Sequence, residues 1–232
     1  MEIEIENLGK IYPLTIREIA TIGELNYNKY LSLLLIDKNN IAKENKDVDM
    51  SNINNYELLL LHCYYNSEYV IEFTKAIEIN FKESILLHKD GYFYFGDIKD
   101  NRIINSDNFN LIQEIIKKIN YISDKKEEEE YNPANDKARE IIEKIKRNKK
   151  EVEKNKKEEI NLYSIISSIA WKSHIGIKSV WDLTIYQLYD AYYRLNMIDN
   201  YDKTCVGIYS GNVDVKKIDL KQLNWSKIIN FN

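Results

Sequence analysis

The sequence predicts a mainly α-helical protein whose N-terminal part also contains a small antiparallel β-hairpin or sheet. The first observation is composition, because only seven of the 232 residues are glycine and two are proline, which favours long helices over many turns. The second is periodicity: apolar residues recur at helical spacing along most of the chain and alternate with a period of two in residues 1–11 and near residues 84–104. A chain of this length can bury a substantial core, as one large domain or two small ones.

The N-terminal residues predict a strand followed by a helix. Residues 1–11 alternate isoleucine with glutamate, which is typical of a short strand with an acidic outer face. Thr15 and Glu18 then have the spacing of a capping box, and a helical apolar pattern continues to about Ile36. Gly23 lies inside this pattern and is predicted to mark a break or a site of close packing.

Two further helices are predicted after a polar loop. Residues 37–55 are rich in Asn and predict a loop with one helical turn near Ile41. Residues 56–65 are apolar on all sides, which favours a buried helix over a surface helix. Ser67 is the predicted N-cap of the next helix.

The β-hairpin is predicted near residues 84–104. Asp90 and Gly91 lie between two apolar runs, and a tight turn needs a positive φ, which glycine adopts without penalty. Asp107 is the predicted N-cap of a helix over residues 109–119. We therefore expect an α+β N-terminal domain over residues 1–122.

Charged residues dominate the next part of the chain. Of the 36 residues from 124 to 159, 24 are charged, twelve basic and twelve acidic, so this part is hydrophilic but neutral. Asn132 and Pro133 suit the start of a helix. We predict a charged helix or linker over residues 123–160, followed by a C-terminal helical domain over residues 161–232.

The strongest pattern in the chain is the run Gly176–Met197. Thr184 and Gln187 have the spacing of a capping box, so a helix should begin near Ile185. Apolar side chains at spacings of four and three form one seam for packing, and the seam consists of Trp181, Ile185, Leu188, Tyr192 and Leu195.

Shorter elements are predicted on both sides of this helix. A helix of about three turns should start near Asn161, because apolar density returns there. A turn is predicted between Gly207 and Gly211, and a last short helix over residues 220–229.

A second stripe on the same helix consists of tyrosines. Tyrosine supplies a large contact area with few rotors to order, and Tyr, Trp and Arg are enriched at binding hot spots. We predict a protein-binding site made of Trp181, Tyr186, Tyr189, Tyr193, Arg194 and Trp225. The alternative is that both stripes belong to the protein's own core, which is the commoner use of such patterns.

The sequence offers little support for an enzyme. Phosphate-binding and nucleophile-elbow motifs are missing from the sequence, and His62, His88 and His174 are far apart, with no carboxylate or thiol at ligand spacing. We therefore predict no catalytic residues, no metal and no cofactor. Cys63 and Cys205 are the only cysteines and fit a reducing cytosol, and no apolar run is long enough for a membrane span. A cytoplasmic protein that does not enter a membrane is expected.

Nucleic-acid binding is the weaker alternative. The net charge is −4, so attraction to nucleic acid would need a local patch. The best candidate is the basic cluster over residues 144–150, formed by Lys144, Lys146, Arg147, Lys149 and Lys150. Acidic neighbours cancel much of its field, and no aromatic residue interleaves it for base stacking, so a solvated helix face is the competing interpretation.

Three stretches of the chain resemble a family of phage proteins: Ile11–Ile36, Tyr131–Glu151 and Ser179–Asp202. They are similar to tail assembly chaperones or baseplate-assembly proteins of bacteriophages and prophages of low-GC Gram-positive bacteria. The resemblance implies a protein of the host cytoplasm that binds other tail proteins, such as the tape-measure or baseplate hub protein, without chemical turnover. Alternatives are a structural baseplate or hub component of the virion and a nucleic-acid-binding regulator that uses residues 144–150. The oligomeric state stays open.

Overall fold

The computed structural model describes residues 2–44, 51–122, 161–212 and 223–227. The protein is mainly helical, with short antiparallel sheets in its N-terminal part and helices in its C-terminal part, which confirms the predicted fold class. The predicted charged helix over 123–160 lies outside the described residues, so the division into 1–122, 123–160 and 161–232 stays a prediction. In the described ranges, no helix combines the length and the apolar character that a bilayer crossing requires.

The chain begins with a hairpin where the sequence pattern predicted one strand. Strand β1 (Ile3–Ile5) pairs antiparallel with β2 (Gly9–Ile11). Asn7 between them has a φ of 59°, a conformation that Asn tolerates better than most residues. The Arg102 guanidinium donates two hydrogen bonds, of 2.9 and 2.7 Å, to the carbonyl of Leu8 and so fixes this turn.

The helical pattern that follows forms two helices instead of one. Helix α1 (Ile16–Ile22) starts at the predicted Thr15–Glu18 capping box, and α2 (Glu24–Leu34) follows directly. Gly23 joins them with a φ of 88°, which glycine adopts without steric penalty, so the predicted break is confirmed. Helix α3 (Lys38–Glu44) is longer than the single turn predicted near Ile41.

Helices α4 (Asn55–Tyr65) and α5 (Ser67–Phe81) form the next layer. The prediction that Ser67 caps α5 was wrong, because the side chain of Asn66 accepts the hydrogen bonds from the free amides of the first turn. The prediction of a buried α4 holds for one face only. Tyr64 on its outer face is 83% exposed, because α4 packs on one side of the core and does not cross it.

The predicted hairpin near residues 84–104 is present and gains a third strand. Strands β3 (Ile85–Leu87), β4 (Phe93–Phe95) and β5 (Ile103–Ile104) form one antiparallel sheet in that order. Helix α6 (Ser106–Ile119) follows. Its N-cap is Asn105, not Asp107 as predicted, because the Asn105 side chain accepts from two backbone amides of the first turn.

The C-terminal part consists of helices α7 (Leu162–Lys172), α8 (Ile177–Val180) and α9 (Ile185–Tyr209). The predicted start of α9 at Ile185 is confirmed. The predicted turn between Gly207 and Gly211 is present at residues 210–211, although α9 continues through Gly207 to Tyr209. Residues 223–227 form turns, and the rest of the helix predicted over 220–229 lies outside the described residues.

Two hydrophobic cores hold these elements together. The first lies among the sheets, the end of α2 and helices α4 to α6, with phenylalanines at its centre. The second joins α1 and the start of α2 to α7, α8 and the first half of α9, and its buried members are Leu14, Ile16, Ile19, Tyr27, Ile165, Ile166, Ile169, Ala170, Val180, Ile185 and Leu188. An N-terminal helix and the C-terminal helices therefore share one core.

A reciprocal backbone pairing brings α1 and α9 together. The sequence Leu-Thr-Ile occurs at 14–16 and at 183–185, and each copy starts a helix. The two threonines form an antiparallel bridge. The amide of Ile16 donates to the Leu183 carbonyl and that of Ile185 to the Leu14 carbonyl, both at 2.9 Å. Each bond satisfies a helix-start amide that has no partner inside its own helix.

Leu188 on α9 is fully buried and provides a test of the second core. Replacing Leu188 by Ala should lower the free energy of unfolding by about 3 kcal/mol, because transfer energy is lost and a cavity remains. Urea unfolding followed by circular dichroism measures this. Val206→Ala is the control on the same helix, since Val206 is 66% exposed, and an equal loss in both variants would contradict the described packing.

Candidate protein-binding site

Helix α9 presents the predicted tyrosine stripe beside its packing face. The capping box holds the helix start, since the Thr184 amide donates to the Gln187 side chain at 2.9 Å and the Gln187 amide to the Thr184 hydroxyl at 3.2 Å. Ile185 and Leu188 are buried in the second core. Tyr186 and Tyr189 are half-buried and Tyr193 is 46% exposed, so the stripe lies at the border between core and solvent.

Tyr121, at the end of α6, contacts all three rings of the stripe. Its ring is stacked on Tyr193 at 5.3 Å between centroids and on Tyr189 at 6.0 Å, and meets Tyr186 edge-on at 5.3 Å. Such aromatic contacts favour one ring arrangement over others. The stripe is therefore ordered by a residue from the N-terminal part, while one side of Tyr193 stays open to solvent.

Polar contacts continue this cluster along α9. The Tyr121 hydroxyl donates to one Asp190 carboxylate oxygen at 3.3 Å, and Arg194 Nε donates to the other at 2.9 Å. A second Arg194 nitrogen donates to the carbonyl of Trp225 at 2.9 Å. Five of the six residues predicted to bind a partner thus lie together around Tyr121 and Asp190.

Trp181 is the predicted site residue that lies apart from the others. It is half-buried in the turn before α9, and its carbonyl accepts a hydrogen bond of 2.9 Å from the Arg17 amide. Its side chain packs on the second core and lines a groove between α1 and α7. Trp181 therefore belongs to a neighbouring surface and not to the tyrosine stripe.

Three residues that position the stripe were not predicted from the sequence: Tyr27, Asn120 and Tyr121. The buried Tyr27 hydroxyl donates to the Asn120 side-chain oxygen, and the Asn120 amide group donates to the Ile116 carbonyl at 2.7 Å. This anchors the chain immediately before Tyr121, whose φ is 60°. Tyr27 belongs to the helical apolar pattern that continues to about Ile36, but no periodicity or motif predicted its contact with Asn120 or the position of Tyr121, because the partners lie far away in sequence.

Two phenols of this cluster, those of Tyr121 and Tyr189, have raised pKa values. Burial, followed by the Asp190 carboxylate, raises the pKa of Tyr121 above its ordinary value of 10.0. Burial and the neighbouring Tyr193 likewise raise the pKa of Tyr189. These hydroxyls therefore serve as hydrogen-bond donors and acceptors at neutral pH, which suits a binding surface.

Other candidate chemistry in the described residues is sparse. No three His, Cys, Asp or Glu side chains in the described ranges are grouped so that they could hold a metal ion. Cys63 is buried, and burial raises the pKa of its thiol to about 12, so the reactive thiolate is scarce at neutral pH. The basic cluster over 144–150 lies outside the described residues.

Tyr121 supplies a direct test of the ring cluster. Tyr121→Ala should lower the free energy of unfolding by about 2 kcal/mol or more, because several aromatic contacts are lost together. Tyr121→Phe keeps the ring and loses the bond to Asp190, which should cost only about 1 kcal/mol. Chemical denaturation of both variants measures the difference, and equal losses would mean that the hydroxyl, not the ring, holds the stripe.

Because Tyr27 is buried, we expect the folded protein to lose stability in alkali. Burial raises its pKa in the folded state above the ordinary 10.0, so above about pH 10 the unfolded chain releases this proton and the folded protein keeps it. The free energy of unfolding should therefore fall as pH rises beyond 10. Thermal melts across this range should show a shallower fall for Tyr27→Phe, whereas Tyr209→Phe, at an 89% exposed position, should keep the wild-type slope.

Comparison with known proteins finds a similarity in the C-terminal part of the chain. A family model described as YomV second domain matches residues 153–230, a minority of the 232 residues. No curated protein and no solved structure matches the chain. The matched range contains the tyrosine stripe, Arg194 and Trp225, but not Tyr27 or Tyr121. Over its C-terminal part, the chain is thus similar to a domain family associated with bacteriophages and prophages.

Proposed function

We propose that this protein is a non-enzymatic, chaperone-like assembly factor of a phage tail or baseplate that binds other tail proteins through α9. The observation that carries the proposal is the stripe of Tyr186, Tyr189 and Tyr193, which is partly open to solvent and held in place by Tyr121. The similarity to a phage-associated domain over residues 153–230 supports a role in a bacteriophage or prophage.

The stripe has the physical properties of a binding hot spot. Its rings offer apolar area with polar hydroxyls at their ends, and Arg194 adds a planar cation at the same surface. Because Tyr121 and Asp190 already order these side chains, a partner loses less conformational entropy when it binds. A pre-ordered surface with one open ring favours protein recognition over a purely structural core.

The resemblance of Ile11–Ile36 and Ser179–Asp202 to tail assembly proteins suggests the partner. An unassembled tape-measure or baseplate hub protein would bind in the host cytoplasm and would be released when the tail is complete. A structural component of the virion would use the same surface permanently. The two roles therefore differ in whether the protein stays in the finished particle.

Affinity purification during prophage induction tests the proposal. The tagged protein should capture a tail protein in constant proportion, and Tyr193→Ala should reduce that capture about tenfold or more, as hot-spot truncations do. Tyr209→Ala is the control, because Tyr209 is exposed on the same helix beyond the stripe. Thermal melts of each variant show whether folding is kept.

The same preparation separates the alternatives. Equal capture by both variants would contradict a role of the stripe. Presence of the protein at fixed copy number in purified particles would instead identify a structural baseplate or hub component. Retention on heparin that salt abolishes, without capture of a tail protein, would favour the nucleic-acid alternative at residues 144–150.

A further inference from the structure

A groove between α1 and α7 lies next to the tyrosine stripe. It is shallow and opens to solvent. Most of its lining is apolar, and its walls include Ile16, Ile19, Leu162, Ile166 and Trp181. The function proposed above does not use this surface.

One carboxylate interrupts the apolar lining. Glu24 is half-buried in the groove, in the first turn of α2, where the helix dipole favours a negative charge. The Glu24 carboxylate makes no hydrogen bond or ion pair with any residue of the described part of the chain. The charged residues nearest to it in α1 are already engaged, because Arg17 pairs with Asp182 and Glu18 with Lys82.

We propose that this groove binds an apolar segment of a partner protein that carries one lysine or arginine, whose cation pairs with Glu24. The inference rests on the proposed function and deepens it. It specifies the chemistry of the part of the partner that lies in the groove beside Trp181. The groove and the stripe are neighbours: after burial and Tyr193, the Glu24 carboxylate is a further cause of the raised pKa of Tyr189.

Charge complementarity selects this occupant over other apolar segments. A neutral segment that covered the groove would remove water from Glu24 without replacing it, and an acidic segment would add repulsion. A lysine or arginine would replace the lost water at Glu24 and would attract the carboxylate, because its methylene stem can lie along apolar walls while its charged end reaches the carboxylate. Pairing in a partly desolvated groove is also stronger than at an open surface.

The test uses the full chain and two synthetic amphipathic peptides that differ only in Lys or Glu at one position of the apolar face. Methyl resonances of Ile16, Ile19 and Ile166 report binding in the groove. The Lys peptide should bind about tenfold more tightly than the Glu peptide. Glu24→Gln should remove this preference while the apolar contacts remain.

Two further variants locate the binding. Ala20 lines the groove and is exposed, so Ala20→Trp should fill the groove and abolish binding of both peptides without disturbing the core. Leu25→Ala is the matched control, because Leu25 is 87% exposed beside Glu24 and does not line the groove. It should leave both affinities unchanged.

Several results would overturn the inference. These are equal affinities for the two peptides, shifts confined to other methyl groups, or concentration-dependent shifts without peptide, which would mean that a second copy of the chain fills the groove. The proposed function fails separately, if Tyr193→Ala leaves capture of the tail protein intact. Loss of peptide preference with normal capture would remove the groove inference alone.

Discussion

The pairing of Leu14–Ile16 with Leu183–Ile185 joins α1 to α9, the longest helix in the described part of the chain. At each helix start, the hydroxyl of the capping threonine accepts from one amide, and the carbonyl of the opposite segment accepts from another. Because the bonds run in both directions, the two helix starts are fixed in position and in register. The side chains on either side, Leu14, Ile16 and Ile185, are buried by this pairing, so the second core depends on it.

This pairing determines which side chains of α9 face the core and which lie at its edge. With Ile185 and Leu188 turned into the core, the tyrosines at neighbouring positions lie at the edge of that core, where Tyr121 reaches them. The stripe is therefore neither part of the interior nor an isolated surface feature. Its exposed portion, together with Arg194, is the physical basis for proposing a protein partner.

The region similar to the phage-associated family packs against residues that lie outside it. Residues 153–230 contribute α7 to α9, but α1 and Tyr27 complete their core, and Tyr121 orders their tyrosines. The groove combines residues from inside and outside this range, and the stripe, which lies inside it, is ordered by Tyr121 from outside. Recognition of a partner is thus expected to depend on the joined structure of both parts of the chain.

The sequence by itself determined the elements that local chemistry controls. Both Thr capping boxes, the Gly23 break and the Asp90-Gly91 hairpin follow from residues within a few positions of one another, and each is present. Asn66 and Asn105 cap their helices in place of the predicted Ser67 and Asp107, a choice between nearby residues that the pattern did not separate. Only the tertiary structure decided that α1 joins the C-terminal core and that Tyr121 covers the stripe. Such contacts join residues far apart in the chain, and the spacing of residues along a helix carries information about its own faces but not about what packs against them.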